Sequence, residues 1–116
     1  MSLERDRAYL AHILECIKYI QNYTNNDRET FMSSSLIQDA VLRRLQTMAE
    51  STQRLSDELK AEAPNVDWRG LSGFRNILVH DYLSGIDLEQ VWDAIAQSLP
   101  SLEVAVKELS ERFNLQ

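Results

Sequence analysis

"GFRNILVHDYLSGID", residues 73 to 87, puts Phe74, Ile77, Leu78 and Val79 at helical spacing and sets Arg75, Asn76, His80 and Tyr82 among them. The apolar residues form a stripe that a helix must bury, and a polar group buried without a partner is costly. By the 3.6-residue repeat, Arg75, Val79 and Tyr82 fall within about 40° of one another, as do Asn76 and His80, so the four polar residues share one broad strip. The plain structural account pairs Arg75 with Asp81 or a neighbouring helix, leaves His80 half-buried and makes Tyr82 an amphipathic edge residue.

Working outward, the carboxylate of Asp67 is placed to accept from the first free amides of this helix, which is expected to run through Trp68, Leu71, Phe74, Leu78 and Tyr82. Gly70 and Gly73 lie inside it at a cost of about 1 kcal/mol each against Ala, and a close helix–helix approach would account for them. Ser84 and Gly85 end the segment. Asp87 with Gln90 caps a last helix whose stripe is Leu88, Trp92, Ile95, Leu99, Leu102, Val106, Leu109 and Phe113, with Pro100 expected to kink or divide it. Toward the N-terminus, Leu10, Ile13, Leu14, Ile17 and Ile20 predict a helix from roughly Leu3 to Tyr23, broken by "NYTNNDRE". Ser35 with Gln38 has the form of a capping box. A second long helix is expected from there or a turn or more earlier, along Ile37, Val41, Leu45, Met48, Thr52, Leu55 and Leu59, and ending before Pro64.

Four amphipathic stripes with short connections predict an all-α protein, an antiparallel up-and-down four-helix bundle forming one domain over residues 1–116. The composition agrees: 44% hydrophobic and 26% charged residues are ordinary globular values, while three Gly and two Pro leave little turn chemistry for a sheet. Cys16 is the one cysteine, so no internal disulfide forms, and no apolar run reaches membrane-spanning or signal-peptide length. A cytoplasmic location with no membrane attachment is expected. The net charge of -6 gives no global positive field to draw in a nucleic acid, so any such chemistry must be local. His12 and Cys16 sit at i, i+4 with His80 the only other histidine, which falls short of a catalytic zinc set. No Gly-rich phosphate loop or local hydrolase signature is present, so neither metal nor cofactor is expected.

The polar strip carries a resemblance. "RNILVH" matches the R-x-x-x-x-H signature of the HEPN ribonucleases, and Tyr82 extends it to R-x-x-x-x-H-x-Y, the fuller motif of their HepT-like toxin branch. "QDAVLRRLQTMAE", "DWRGLSGFRNILVHDYL" and "GIDLEQVW" also resemble that branch, in order, across most of Gln38 to Trp92. Ser84 stands as one residue more than the family usually places before its acidic cap. The resemblance implies a HEPN-like helical domain and a metal-independent endoribonuclease toxin of a type VII-like toxin–antitoxin pair. His80 would be the base for 2′-hydroxyl attack, Arg75 the cation for charge building on the phosphate, and Asn76 a supporting polar residue. It further implies a homodimer that joins two motifs in one RNA cleft, and Tyr82 as the tyrosine adenylylated by an MNT-type nucleotidyltransferase antitoxin. An AMP there would exclude RNA sterically and repel its backbone. The alternative is a non-catalytic helical dimer that binds the nucleotidyltransferase, a reading the net charge of -6 favours because RNA affinity draws on phosphate neutralisation. A purely structural bundle leaves the strip unexplained.

Overall fold

A computed structural model of the chain describes residues 3–81 and 85–114, with side chains through residue 112. Its first helix, α1 (Leu3–Thr24), buries Leu10, Ile13, Ile17 and Ile20 on one stripe. Thr24 ends it by donating from Oγ1 to the Ile20 carbonyl at 2.9 Å, and Asn25 and Asn26 turn the chain with φ of 53° and 55°. Asparagine tolerates this left-handed region better than most residues because its short amide bonds locally.

The polar break then holds a short helix the periodicity did not predict, α2 (Arg28–Met32). Asp27 caps it, with Oδ2 accepting from Thr30 N at 3.0 Å and Thr30 Oγ1 at 2.7 Å. Those bonds to Thr30 hold the Asp27 carboxyl below its ordinary range. The helix seats Phe31, fully buried, against Trp92 with ring centroids 5.7 Å apart.

The second long helix, α3 (Ser35–Arg54), corrects two expectations. Its cap is Ser34, whose Oγ accepts from Ile37 N at 3.2 Å. Gln38 does not complete a box with Ser35 but donates to the carbonyls of Phe31 and Met32 at 3.0 and 3.1 Å, because the end of α2 abuts the start of α3. The stripe through Leu59 is also two helices rather than one: α3 stops at Arg54, and Ser56 caps α4 (Asp57–Ala61). The cause lies fifty residues away, where Asp6 of α1, 2% exposed, accepts from Ser56 N at 2.9 Å and from Ser56 Oγ at 2.6 Å. Leu55 and Leu59 stay buried on either side of the break.

Asp67 caps α5 (Trp68–His80) as expected, accepting from Gly70 N at 2.9 Å. Trp68 Nε1 donates to the carbonyls of Lys60 and Ala63, each at 3.2 Å, and so ties α5 to the end of α4. Among the described residues, neither glycine marks a close approach of another helix. A Cβ on Gly70 would meet the capping Asp67 Oδ2 at 2.3 Å, whereas one on Gly73 would meet nothing within 4 Å.

Asp87 Oδ1 accepts from Glu89 N and Gln90 N at 3.0 and 3.3 Å, and α6 (Leu88–Asn114) follows as one helix that Pro100 does not divide. Pro100 is exposed, while Leu99 and Leu102 anchor both neighbouring turns in the core. The long helices α1, α3, α5 and α6 make the expected antiparallel bundle. α3 packs against both α1 and α5, α1 also packs against α6, and no strand occurs among the described residues.

Candidate active site

α5 stops two residues short of Tyr82, the residue the helix was expected to run through. The amide of Asp81 closes it by donating to the Ile77 carbonyl at 3.0 Å, and His80 is its last residue. Tyr82, the candidate modification site, lies outside the described residues, as does Ser84. The helical azimuth that would set Tyr82 over Arg75 is therefore described only as far as His80.

The remaining motif residues divide by face. Arg75 turns toward α3, where Nη2 donates to Glu50 Oε2 at 3.1 Å with the two side chains 29% and 33% exposed. Of the two plain structural partners, then, the neighbouring helix is the one that engages it in this ion pair. Arg75 Nη1 reaches Asn76 Oδ1 at 3.4 Å, a long contact, and Nε is buried with no hydrogen-bond partner among the described residues. Asn76 and His80 are exposed, so His80 is not the half-buried residue of the plain account. Five helical residues turn the chain about 140° between Arg75 and His80, and no hydrogen bond or ion pair joins them among the described residues. The strip is thus a recessed cation on one flank and an exposed imidazole on another.

Between Asn76 and the groove side of α5 runs an open face. Gly73, Ile77 and His80 follow one another at helical spacing there, with Ile77 41% exposed and Gly73 offering open space. Beside it lies a groove of about 430 Å³ between α5 and α6, lined by Leu71, Phe74, Ala94, Ser98 and Leu102 among others.

The other histidine belongs to a structural network. His12 Nδ1 and Ser51 Oγ are 2.7 Å apart, and Cys16 Sγ lies 3.5 Å from His12 Nε2 and 3.7 Å from Thr47 Oγ1. Cys16 is fully buried, and burial pushes its thiol above its ordinary value despite the bond from Thr47. It is not a poised nucleophile. Among the described residues no three His, Cys, Asp or Glu side chains form a metal-binding group, and no helix is long and apolar enough to cross a membrane.

Periodicity did not single out Glu50. It closes the quoted stretch "QDAVLRRLQTMAE" and lies off the apolar stripe, where one acidic residue resembles any solvated one.

An all-helical bundle whose third long helix ends on an arginine and a histidine five residues apart defines the class of protein at hand. The chain matches the ribonuclease HepT-like family over residues 13–109, and it belongs to that family. It is 31% identical over 109 residues to a Methanocaldococcus jannaschii protein named "Gamma-glutamylcyclotransferase and putative RNase", covering 93% of this chain and 49% of that one. The chain therefore spans about half the length of that relative. A second protein of the same archaeon, named "Putative RNase", is 31% identical over 108 residues, covering 92% of this chain and 98% of its own. The "Probable ribonuclease HepT" of Thermococcus cleftensis is 29% identical over 102 residues, covering 87% and 92%. No solved structure gives a significant match.

Proposed function

We propose that this protein is a metal-independent endoribonuclease, the toxin of a type VII-like toxin–antitoxin pair, acting as a homodimer in the cytoplasm and silenced when an MNT-type nucleotidyltransferase adenylylates Tyr82. The observation that carries the reading is the exposed His80 at the end of α5, flanked by the open Gly73–Ile77 face, with the recessed guanidinium of Arg75 on another flank of the same helix. A second copy laid on that face would cover Ile77 and bring two His80 side chains toward one cleft. His80 takes the proton from an RNA 2′-hydroxyl, and the oxygen attacks the adjacent phosphorus. The bond to the 5′ oxygen breaks, and that oxygen leaves with a proton from the second His80. The products are a 2′,3′-cyclic phosphate and a 5′-hydroxyl end. Arg75, with Asn76 beside it, offsets the charge that grows on the phosphoryl oxygens.

One observation favours the second reading, a non-catalytic dimer that binds the nucleotidyltransferase: the ion pair with Glu50 partly cancels the only motif cation in a chain of net charge -6. Cleavage assays decide between them. Purified, unmodified protein is expected to cut RNA in EDTA, with His80→Ala and Arg75→Ala each slower by about a hundredfold or more at unchanged fold. Cleavage abolished by EDTA, or full activity in both variants, refutes the site. Tyr82→Phe is expected to cut RNA and to escape the partner enzyme, and its full neutralisation on co-expression would remove Tyr82 from the regulation.

A further inference from the structure

Arg75 is the motif residue with the longest and most flexible side chain, and the structure gives its guanidinium two unlike edges. The inner edge, Nη2 and Nε, faces α3: Nη2 is held by Glu50 Oε2 at 3.1 Å, and Nε is buried and without a partner among the described residues. The outer edge, Nη1, is turned to the exposed side, where it meets Asn76 Oδ1 at 3.4 Å. A phosphate arriving from solvent reaches the outer edge and not the buried Nε. The acceptor within reach of the inner edge is Glu50, anchored on a long helix that packs against α5.

We infer that Glu50 is the positioning residue of the ribonuclease site: its carboxylate grips the inner edge of the Arg75 guanidinium and leaves the outer edge aimed at the substrate phosphate. The inference rests on the ribonuclease reading above. A guanidinium fork matches a carboxylate and a phosphate on separate edges, so one arginine serves both at once. A bidentate pair with Glu50 would also satisfy the buried Nε–H, since a buried donor left unpaired is destabilising. The charge of Glu50 has a second consequence. It opposes RNA phosphate in the ground state, so Glu50 supports the chemical step at some expense to binding.

The test compares wild type, Glu50→Gln and Glu50→Ala on a short RNA in EDTA, with Arg75→Ala as the reference for complete loss. Glu50→Gln keeps a neutral acceptor, and kcat is expected to fall about tenfold, with Glu50→Ala falling further toward Arg75→Ala, while KM stays level or drops. A residue that served only the fold would not produce that split. A kcat within twofold of wild type in Glu50→Ala, or a loss carried wholly by a raised KM, overturns the inference and leaves the ribonuclease reading standing. If wild type itself fails to cut RNA, the ribonuclease reading falls, and nitrogen NMR of the arginine side chains decides the positioning role. Separate Nη1 and Nη2 signals for Arg75 that merge in Glu50→Gln support the grip, and identical spectra in the two proteins overturn it.

Discussion

Asp6→Ala tests the clamp that decides where α3 ends. The carboxylate is 2% exposed and accepts two hydrogen bonds from one residue, from Ser56 N at 2.9 Å and Ser56 Oγ at 2.6 Å. Bonds to a carboxylate contribute about 1.5–3 kcal/mol each, and truncation leaves the Ser56 amide unpaired; water reaching the half-buried Ser56 offsets part of this, for a net loss of roughly 3 kcal/mol. Ser56 Oγ also accepts from Leu59 N at 3.3 Å, so a loosened Ser56 weakens the cap of α4 as well. For a chain of 116 residues the unfolding entropy is about 0.24 kcal/mol/K, which converts the loss to a fall in Tm of about 12 °C. Asp6→Asn keeps an acceptor for the amide and a donor for the hydroxyl, so its fall should be about half as large. Thermal melts at neutral pH, followed by circular dichroism, measure both. A fall under about 4 °C for Asp6→Ala, or equal falls for the two variants, would refute the assignment of the helix break to this carboxylate.

The two glycines of α5 should answer differently to alanine. Gly73→Ala meets nothing within 4 Å and should raise stability by about 1 kcal/mol, whereas in Gly70→Ala the new Cβ displaces the Asp67 cap, worth about the same, and the gain disappears. Equal stabilisation in matched melts would contradict the cap geometry; lowered RNase activity in the more stable Gly73→Ala would support its face as the contact between copies. Cys16 gives an alkaline signature. Because burial raises its folded pKa, the thiol's contribution is fully present below the unfolded value of about 8.5 and is lost as pH rises through the folded one. Tm should therefore decline on that limb, and Cys16→Ser should flatten it; an unchanged limb in Cys16→Ser would place the titration elsewhere.

The periodicity of α1, α3, α5 and α6 was legible because each long helix must bury one face, and that requirement is written in the spacing of Leu10 to Ile20 or Leu88 to Leu109 without reference to any neighbour. The Asp67 and Asp87 caps were legible for the same reason, since a cap and the amides it satisfies are within three residues. The motif residues Arg75, Asn76 and His80 could also be named from sequence, and so could the family. Tertiary structure decided the rest. The stripe through Leu59 breaks at Ser56 because Asp6 reaches it from another helix, and Gln38 leaves its expected box because the carbonyls of Phe31 and Met32 come within reach. The Arg75 guanidinium lies against α3 because Glu50, twenty-five residues earlier, holds it there. Local spacing specifies which side of a helix is apolar, but which carboxylate meets which amide or guanidinium depends on the helices that become neighbours when the core closes.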